Sequence, residues 1–195
     1  VAYVSAAAFA TYVGAEGGQN ADELAAALAA AEQAVNDHCG RTFDPPAGSA
    51  TRRYAARPYA ATLTIHDLSA LTAATVTDDG TSVSLSDLQF EPVDGRTRSG
   101  AVRPYTHVRR LSGSWSTTSG EATISITSAY WGWTTVPAQV VEATKILGKD
   151  LVHLRQNRFG VAGFGEFGVV RVRDNPHVSM LLASLRRDQP RLLVA

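Results

Sequence analysis

The chain has 195 residues, of which 45% are hydrophobic and 18% charged, with equal numbers of basic and acidic side chains and a single cysteine. That length suits one domain, or one domain carrying a sizeable insertion, and the composition excludes a disordered chain. Cys39 alone cannot form an internal disulfide, the five scattered histidines lack metal-site spacing, and zero net charge is poor footing for a nucleic-acid binder.

Membrane and targeting signals are equally thin. No apolar run reaches the roughly 20 residues a membrane span needs, so no membrane partner is expected. The first stretch, VAYVSAAAFATYVGAEGG, is apolar but lacks a basic leader and is not read as a signal peptide.

In chain order, Ser5 caps a short helix over AAAFATYV that Gly14 ends. Asn20 then caps a long helix, with Glu23 three residues on as a capping box. Leu24, Leu28, Ala31 and Val35 form its apolar stripe, and Gly40 and Pro45-Pro46 stop it. At about residue 50 the pattern turns to strands: TRRYAAR, ATLTIHDL, a hairpin around Asp79-Gly80, LQFEPV, RPYTHVRRL and ATISITSAYWGW. Together they predict a small β-sandwich or barrel-like sheet.

Helix returns after Pro137, with Val140, Val141, Thr144, Leu147, Leu151 and Leu154 on one face and Gly148 marking a close helix crossing. Asn175-Pro176 opens a last short helix with Val178, Leu181, Leu182 and Leu185 apolar. Such helices are too short to persist alone, so those flanking the β-block are expected to fold together. The fold class is therefore α+β: a small helical bundle drawn from both chain ends, with an inserted antiparallel sheet or sandwich. The expected division is 1–50 with 134–195 as the helical core and 51–133 as the inserted β-rich domain.

Between the last two helices, Gly163, Gly165, Gly168 and Val170 spell G-x-G-x-x-G-x-V, the pattern of a nucleotide-cradling loop. A dinucleotide site needs a strand before this loop and a helix after it, and here the order is reversed. A kinase-type site needs a lysine and catalytic motifs that the remaining chain lacks. No nucleotide cofactor, nor any other, is expected. Phe159, Phe164 and Phe167, flanked by Arg155, Arg158, Arg171 and Arg173, either tuck under the loop or reach a partner.

Catalytic constellations are not found. His66 and Asp67 are adjacent on a strand and point to opposite faces. Asp78 and Asp79 are explained by a turn. Glu142 and Asp150 face solvent on the helical wheel. Trp131 and Trp133, with Gly132 between them, can share a side and are read chiefly as packing at the β–helix junction. Arg41 and Phe43 anchor the exit of the second helix. Charge is unevenly spread: residues 1–50 hold six acids and one base, residues 151–195 seven arginines and three acids. The two ends either complement one another between neighbouring subunits or form one solvated surface.

Three stretches in order carry a resemblance: ALAAAEQAVNDHCGRTF (26–43), SAYWGWTTVPAQVVEATKILGKDLVHLRQNR (128–158) and VSMLLASLRR (178–187). Together they resemble the head-to-tail adaptor proteins of long-tailed bacteriophages, also called head completion or head–tail connector proteins. The likeness covers the helical parts, and the β-block looks like an elaboration of longer members. It implies a non-enzymatic virion protein at the head–tail junction. Such a protein forms a homo-oligomeric ring, a dodecamer in the usual case, under the portal protein. The ring prolongs the channel through which double-stranded DNA passes as cargo, and offers a face to the next neck or tail component, a stopper or tail terminator. By this resemblance, portal contact falls on Arg155, Arg158, Phe159, Phe164, Phe167, Arg171 and Arg173, and on Arg186, Arg187 and Arg191 of the terminal helix and tail. The competing expectation is a β-sandwich module that binds carbohydrate or protein on a virion or cell surface, which would display a flat, exposed aromatic platform.

Overall fold

A computed structural model describes residues 2–14, 20–57, 59–72, 74–95, 102–115, 122–156 and 175–187. The chain divides into two compact units, residues 1–43 with 136–195 and residues 44–135.

In the first unit, α1 (Ala6–Val13) starts where Ser5 Oγ accepts from Ala8 N at 3.2 Å and ends at Gly14, whose left-handed φ of 75° turns its N–H back onto Ala10 and Thr11 carbonyls. Helix α2 (Ala21–Cys39) begins at Asn20, whose side chain accepts from Asp22 N at 3.0 Å. That bond lands one residue earlier than a capping box would place it. Gly40, φ 63°, closes α2 by donating to Asn36 O. The stripe Leu24, Leu28, Ala31 and Val35 is buried as its spacing requires, each large member contributing about 1.5–3 kcal/mol.

Helix α3 (Ala138–Gln156) packs on α2, on α1 and on α4 (Pro176–Leu182). Because it has neighbours on more than one side, its buried face is wider than a single stripe and shifted from it. Val140, Thr144 and Leu147 are buried, as are Ala143, Gly148 and Val152, whereas Val141 and Leu151 are half-buried. Gly148 is a close crossing: a Cβ there would lie 2.7 Å from the buried Phe9 ring of α1. Past α2, Phe43 is fully buried, its N–H donating to Tyr3 Oη at 2.9 Å and its ring edge-on to Tyr3.

The second unit is a seven-stranded, wholly antiparallel sheet of β1 (Ser49–Ala56), β2 (Thr62–Ala70), β3 (Thr75–Asp78), β4 (Thr81–Val83), β5 (Leu88–Glu91), β6 (Tyr105–Arg110) and β7 (Ala122–Trp131). Its order is β4-β3-β7-β2-β6-β5, with β1 on the other side of β7. The strands thus belong to one branched sheet, and the branch is β7. One edge of β7 pairs with β1 along its length; the other pairs first with β3 (Ile124 to Thr127) and then with β2 (Tyr130 and Trp131). Between these partners Ser128 has φ 56°, and the β1 register slips between Ala50 and Arg52, the mark of a bulge that bends the strand. The β3–β4 turn places Asp79 (φ 49°) and Gly80 (φ 82°) in the left-handed region, as a two-residue hairpin demands. Ile65, Leu68, Val76, Val108, Ile124 and Ile126 form the heart of this unit's core, beside Trp115.

Candidate partner-binding surface

Of the residues expected to meet a portal, Arg155 lies in the last turn of α3, and Arg186 and Arg187 follow α4. Arg158, Phe159, Phe164, Phe167, Arg171, Arg173 and Arg191 lie outside the described residues, as does the glycine-rich loop.

Helix α4 is seated by its cap. Asn175 accepts from His177 N (3.1 Å) and Val178 N (3.3 Å), and its amide donates to Asp150 Oδ2 at 3.1 Å. Asp150 is therefore a part-buried tie between α3 and α4, which corrects its reading as a solvent-facing carboxylate. Glu142 is half-exposed, 3.7 Å from Lys145.

After α4 the backbone returns to the C-terminal end of α2, where Arg187 N–H donates to Cys39 O at 2.9 Å. Exposed Arg186 lies close enough to act on His38, whose pKa is lowered by burial and then by that guanidinium. Burial pushes the Cys39 thiol up to about 11 despite the opposing charges of Arg41 and Arg186. A fixed cation at the carbonyl end of a helix complements its dipole.

In the sheet unit the polar side chains read as scaffold. His66 Nδ1 meets Tyr54 Oη at 3.0 Å on an exposed face, whereas buried Asp67 accepts from Trp133 Nε1 at 3.0 Å. The two neighbours part as strand geometry predicts. Asp78 is more than a turn residue: only 2% exposed, it binds Arg110 Nη1 at 2.8 Å, and that guanidinium stands over the Trp115 ring. Asp79 does serve the turn, accepting from Thr123 N at 3.1 Å.

Trp131 donates to Ala50 O at 3.0 Å and carries Arg52 over its ring. Gly132, at φ 130°, donates to Asp67 O; a Cβ there would come within 2.4 Å of Asp44 O. All three tryptophans are buried, so none forms a flat platform for a sugar ring. Among the described residues no group of three metal-binding side chains is present, and no helix is long and apolar enough to cross a membrane.

The sequence reading missed an exposed apolar tip. Tyr59 is 85% exposed in a turn closed by Ala60 N–H to Arg57 O, with φ 60°, a conformation uncommon for an aromatic residue. Backbone bonds from Trp115 N to Ala60 O, Arg110 N to Ala61 O and Leu111 N to Asp87 O stitch this turn to two further segments. Those segments expose Leu111 (58%) and Leu85 (41%) at the same end of the sheet. The only sequence signal was an aromatic residue placed in a turn beside Pro58.

No protein-family description and no curated protein matches the chain. Solved structures do. A protein in the neck of an empty gene transfer agent particle, determined with sixfold symmetry, superposes with a TM-score of 0.50 at 17% identity, covering 96% of this chain and 91% of that one. A chain from the virion of a native gene transfer agent particle gives 0.47 at 19% identity over 96% and 91%. One from the neck of the native particle, determined with twelvefold symmetry, gives 0.44 at 16% over 86% and 83%. The chain shares the α+β fold of the first of these along nearly its whole length.

Proposed function

We propose that this chain is a structural protein of a tailed, phage-like particle, a head-to-tail adaptor at the junction between the portal and the tail or neck. The observation that carries this reading is the likeness to a neck protein, which spans both the helical and the β-rich parts at nearly full coverage of each chain. Subunits of this kind assemble into a homo-oligomeric ring, a dodecamer to match the portal, that extends the DNA channel. Its other face receives the next neck or tail component, a stopper or tail terminator. Balanced charge suits a channel wall that must let DNA slide rather than grip its phosphates. The role is architectural, not catalytic.

Portal contact is assigned to the segment after α3 and to the end of the chain. Arg155, Arg158, Arg171, Arg173, Arg186, Arg187 and Arg191 face acidic portal surface there, and Phe159, Phe164 and Phe167 act as apolar anchors. The test mixes the full-length chain with the portal of the same particle and images the product. One added ring on the portal is expected, and alanine at Arg171, Arg173, Arg186 and Arg187 together should remove it. Failure to bind portal, combined with salt-sensitive binding of the chain to free DNA, would replace the adaptor with a nucleic-acid binder.

A further inference from the structure

The sheet unit carries a tip that is apolar, exposed and fixed in place. Tyr59 (85% exposed) stands in its turn at φ 60°, with Leu111 (58%) and Leu85 (41%) exposed at the same end. Backbone bonds from Trp115 N to Ala60 O (3.0 Å), Arg110 N to Ala61 O (2.9 Å) and Leu111 N to Asp87 O (2.8 Å) hold the three segments together. An aromatic residue kept in the left-handed region with its ring in water costs both backbone strain and apolar exposure. A partner that covers the ring removes the second cost, and the fixed backbone spares that partner the cost of ordering a loop. Around the tip Arg57 and Arg109 are exposed against one exposed acid, Asp87, while Arg110 is neutralised by Asp78. The tip is thus apolar at its centre and basic at its margin.

Helix α2 presents the complementary surface. It contains four acids and no lysine or arginine. Asp22, Ala26, Ala29 and Asp37 fall on one line of the helix, at i, i+4, i+7 and i+15, and all are exposed, as are Ala25 and Ala30 beside them. A water-facing helix surface ordinarily carries charged or long polar side chains. Here four alanines form a smooth strip on which a ring can lie close to the helix, and the two aspartates stand toward its ends. Both surfaces recur on every copy of the chain. Tip against tip sets arginine against arginine, and helix against helix sets acid against acid. Only tip against helix brings opposite signs together.

We propose that the Tyr59 tip of one subunit docks on the exposed alanine face of α2 in a second copy of this chain, with the ring on Ala26 and Ala29 and the tip's arginines toward Asp22 and Asp37. Such an interface is heterologous, and it closes a ring when the rotation between neighbours returns to its start. The inference rests on the ring assembly proposed above and names its contact.

The test joins the two surfaces covalently in the full-length chain, alone and with portal present. Tyr59→Cys and Ala29→Cys are made singly and together, and a short bis-maleimide links thiols that lie close; Cys39 is buried, with its thiol pushed up to about 11, and does not compete. The double variant should give a series of covalent trimers and longer chains. An equal mixture of the two single variants should stop at dimers, and neither single variant alone should link. Two further variants weaken the contact without cysteine: Tyr59→Asn, since asparagine accepts the left-handed conformation, and Ala29→Arg, which puts bulk and positive charge against the basic tip. Circular dichroism and thermal melting check that each folds, and each should self-associate about tenfold or more weakly in analytical ultracentrifugation. Dimers from Ala29→Cys alone would show helix facing helix, and dimers from Tyr59→Cys alone tip facing tip; either overturns the head-to-tail contact. Rings that persist in both weakening variants, with no series from the double variant, would overturn the contact and leave the ring reading intact. A natural chain that stays monomeric alone and with portal would overturn contact and ring together.

Discussion

The two units hold themselves together by different means. In the helical unit, α1 and α2 are bounded at both ends, and α4 at its start, by caps formed within a few residues, and α3 meets α1 in a close contact of Gly148 against Phe9. In the sheet unit, the decisive contacts join residues distant in sequence: Asp78 with Arg110, Asp67 with Trp133, and the backbone of Gly132 pressed against that of Asp44. Loss of one cap removes one local bond from a helix that its neighbours still support. Loss of a buried pair or a forced backbone approach strands polar groups or displaces whole strands. Single substitutions should therefore hurt the sheet unit more than the helical unit.

The largest effect is expected at Gly132. With φ at 130°, a Cβ added here would lie 2.4 Å from Asp44 O, so Gly132→Ala should cost about 3 kcal/mol or more, or prevent folding. A melting temperature unchanged from the natural chain would show that this corner yields freely. Next comes Asp78→Asn, which leaves Arg110 without its buried counter-charge and should cost about 2–3 kcal/mol in denaturant titration. Replacing both partners, Asp78→Leu with Arg110→Met, should cost less than the two single changes summed; strict additivity would mean the pair is not coupled.

The helical unit supplies the smaller effects. Gly148→Ala drives a methyl into the Phe9 ring, an overpacking cost of about 1–3 kcal/mol set against a helix-propensity gain of up to about 1 kcal/mol. The net loss should shrink when Phe9→Leu makes room, and a Gly148→Ala chain as stable as the original would break the close-crossing reading. Asn20→Ala removes only the bond to Asp22 N and should cost about 1 kcal/mol by thermal melting. If it proves as damaging as Asp78→Asn, the contrast between the units fails.

The same division explains what could be read without coordinates. Ser5, Gly14, Asn20 and Gly40 were legible because a cap is made by residues within one turn of each other, and Asp79-Gly80 because only such residues take two left-handed conformations in a row. The α+β class followed from the change in periodicity near residue 50. The branching of β7 was not legible. It depends on a bulge at Ser128 and on two strands sharing one edge, and neither leaves a local pattern. Asp78 was taken for a turn residue and Asp150 for a solvent-facing carboxylate because their partners lie 32 and 25 residues away. The stripe on α3 was drawn for one neighbouring helix, whereas α3 has three. At the candidate partner surface, the arginines after α4 were visible as charge, but their return to the end of α2 was not. The exposed tip at Tyr59 had almost no sequence signal, because exposure of an apolar side chain is a property of the finished fold.

The central claim, that this chain joins head to tail, is tested most directly by electron microscopy of particles made from the source genome with this reading frame stopped early. DNA-filled heads and complete tails that remain separate, and that join when the purified full-length chain is added, are the predicted result. Normal, infectious, fully joined particles in its absence would contradict the account.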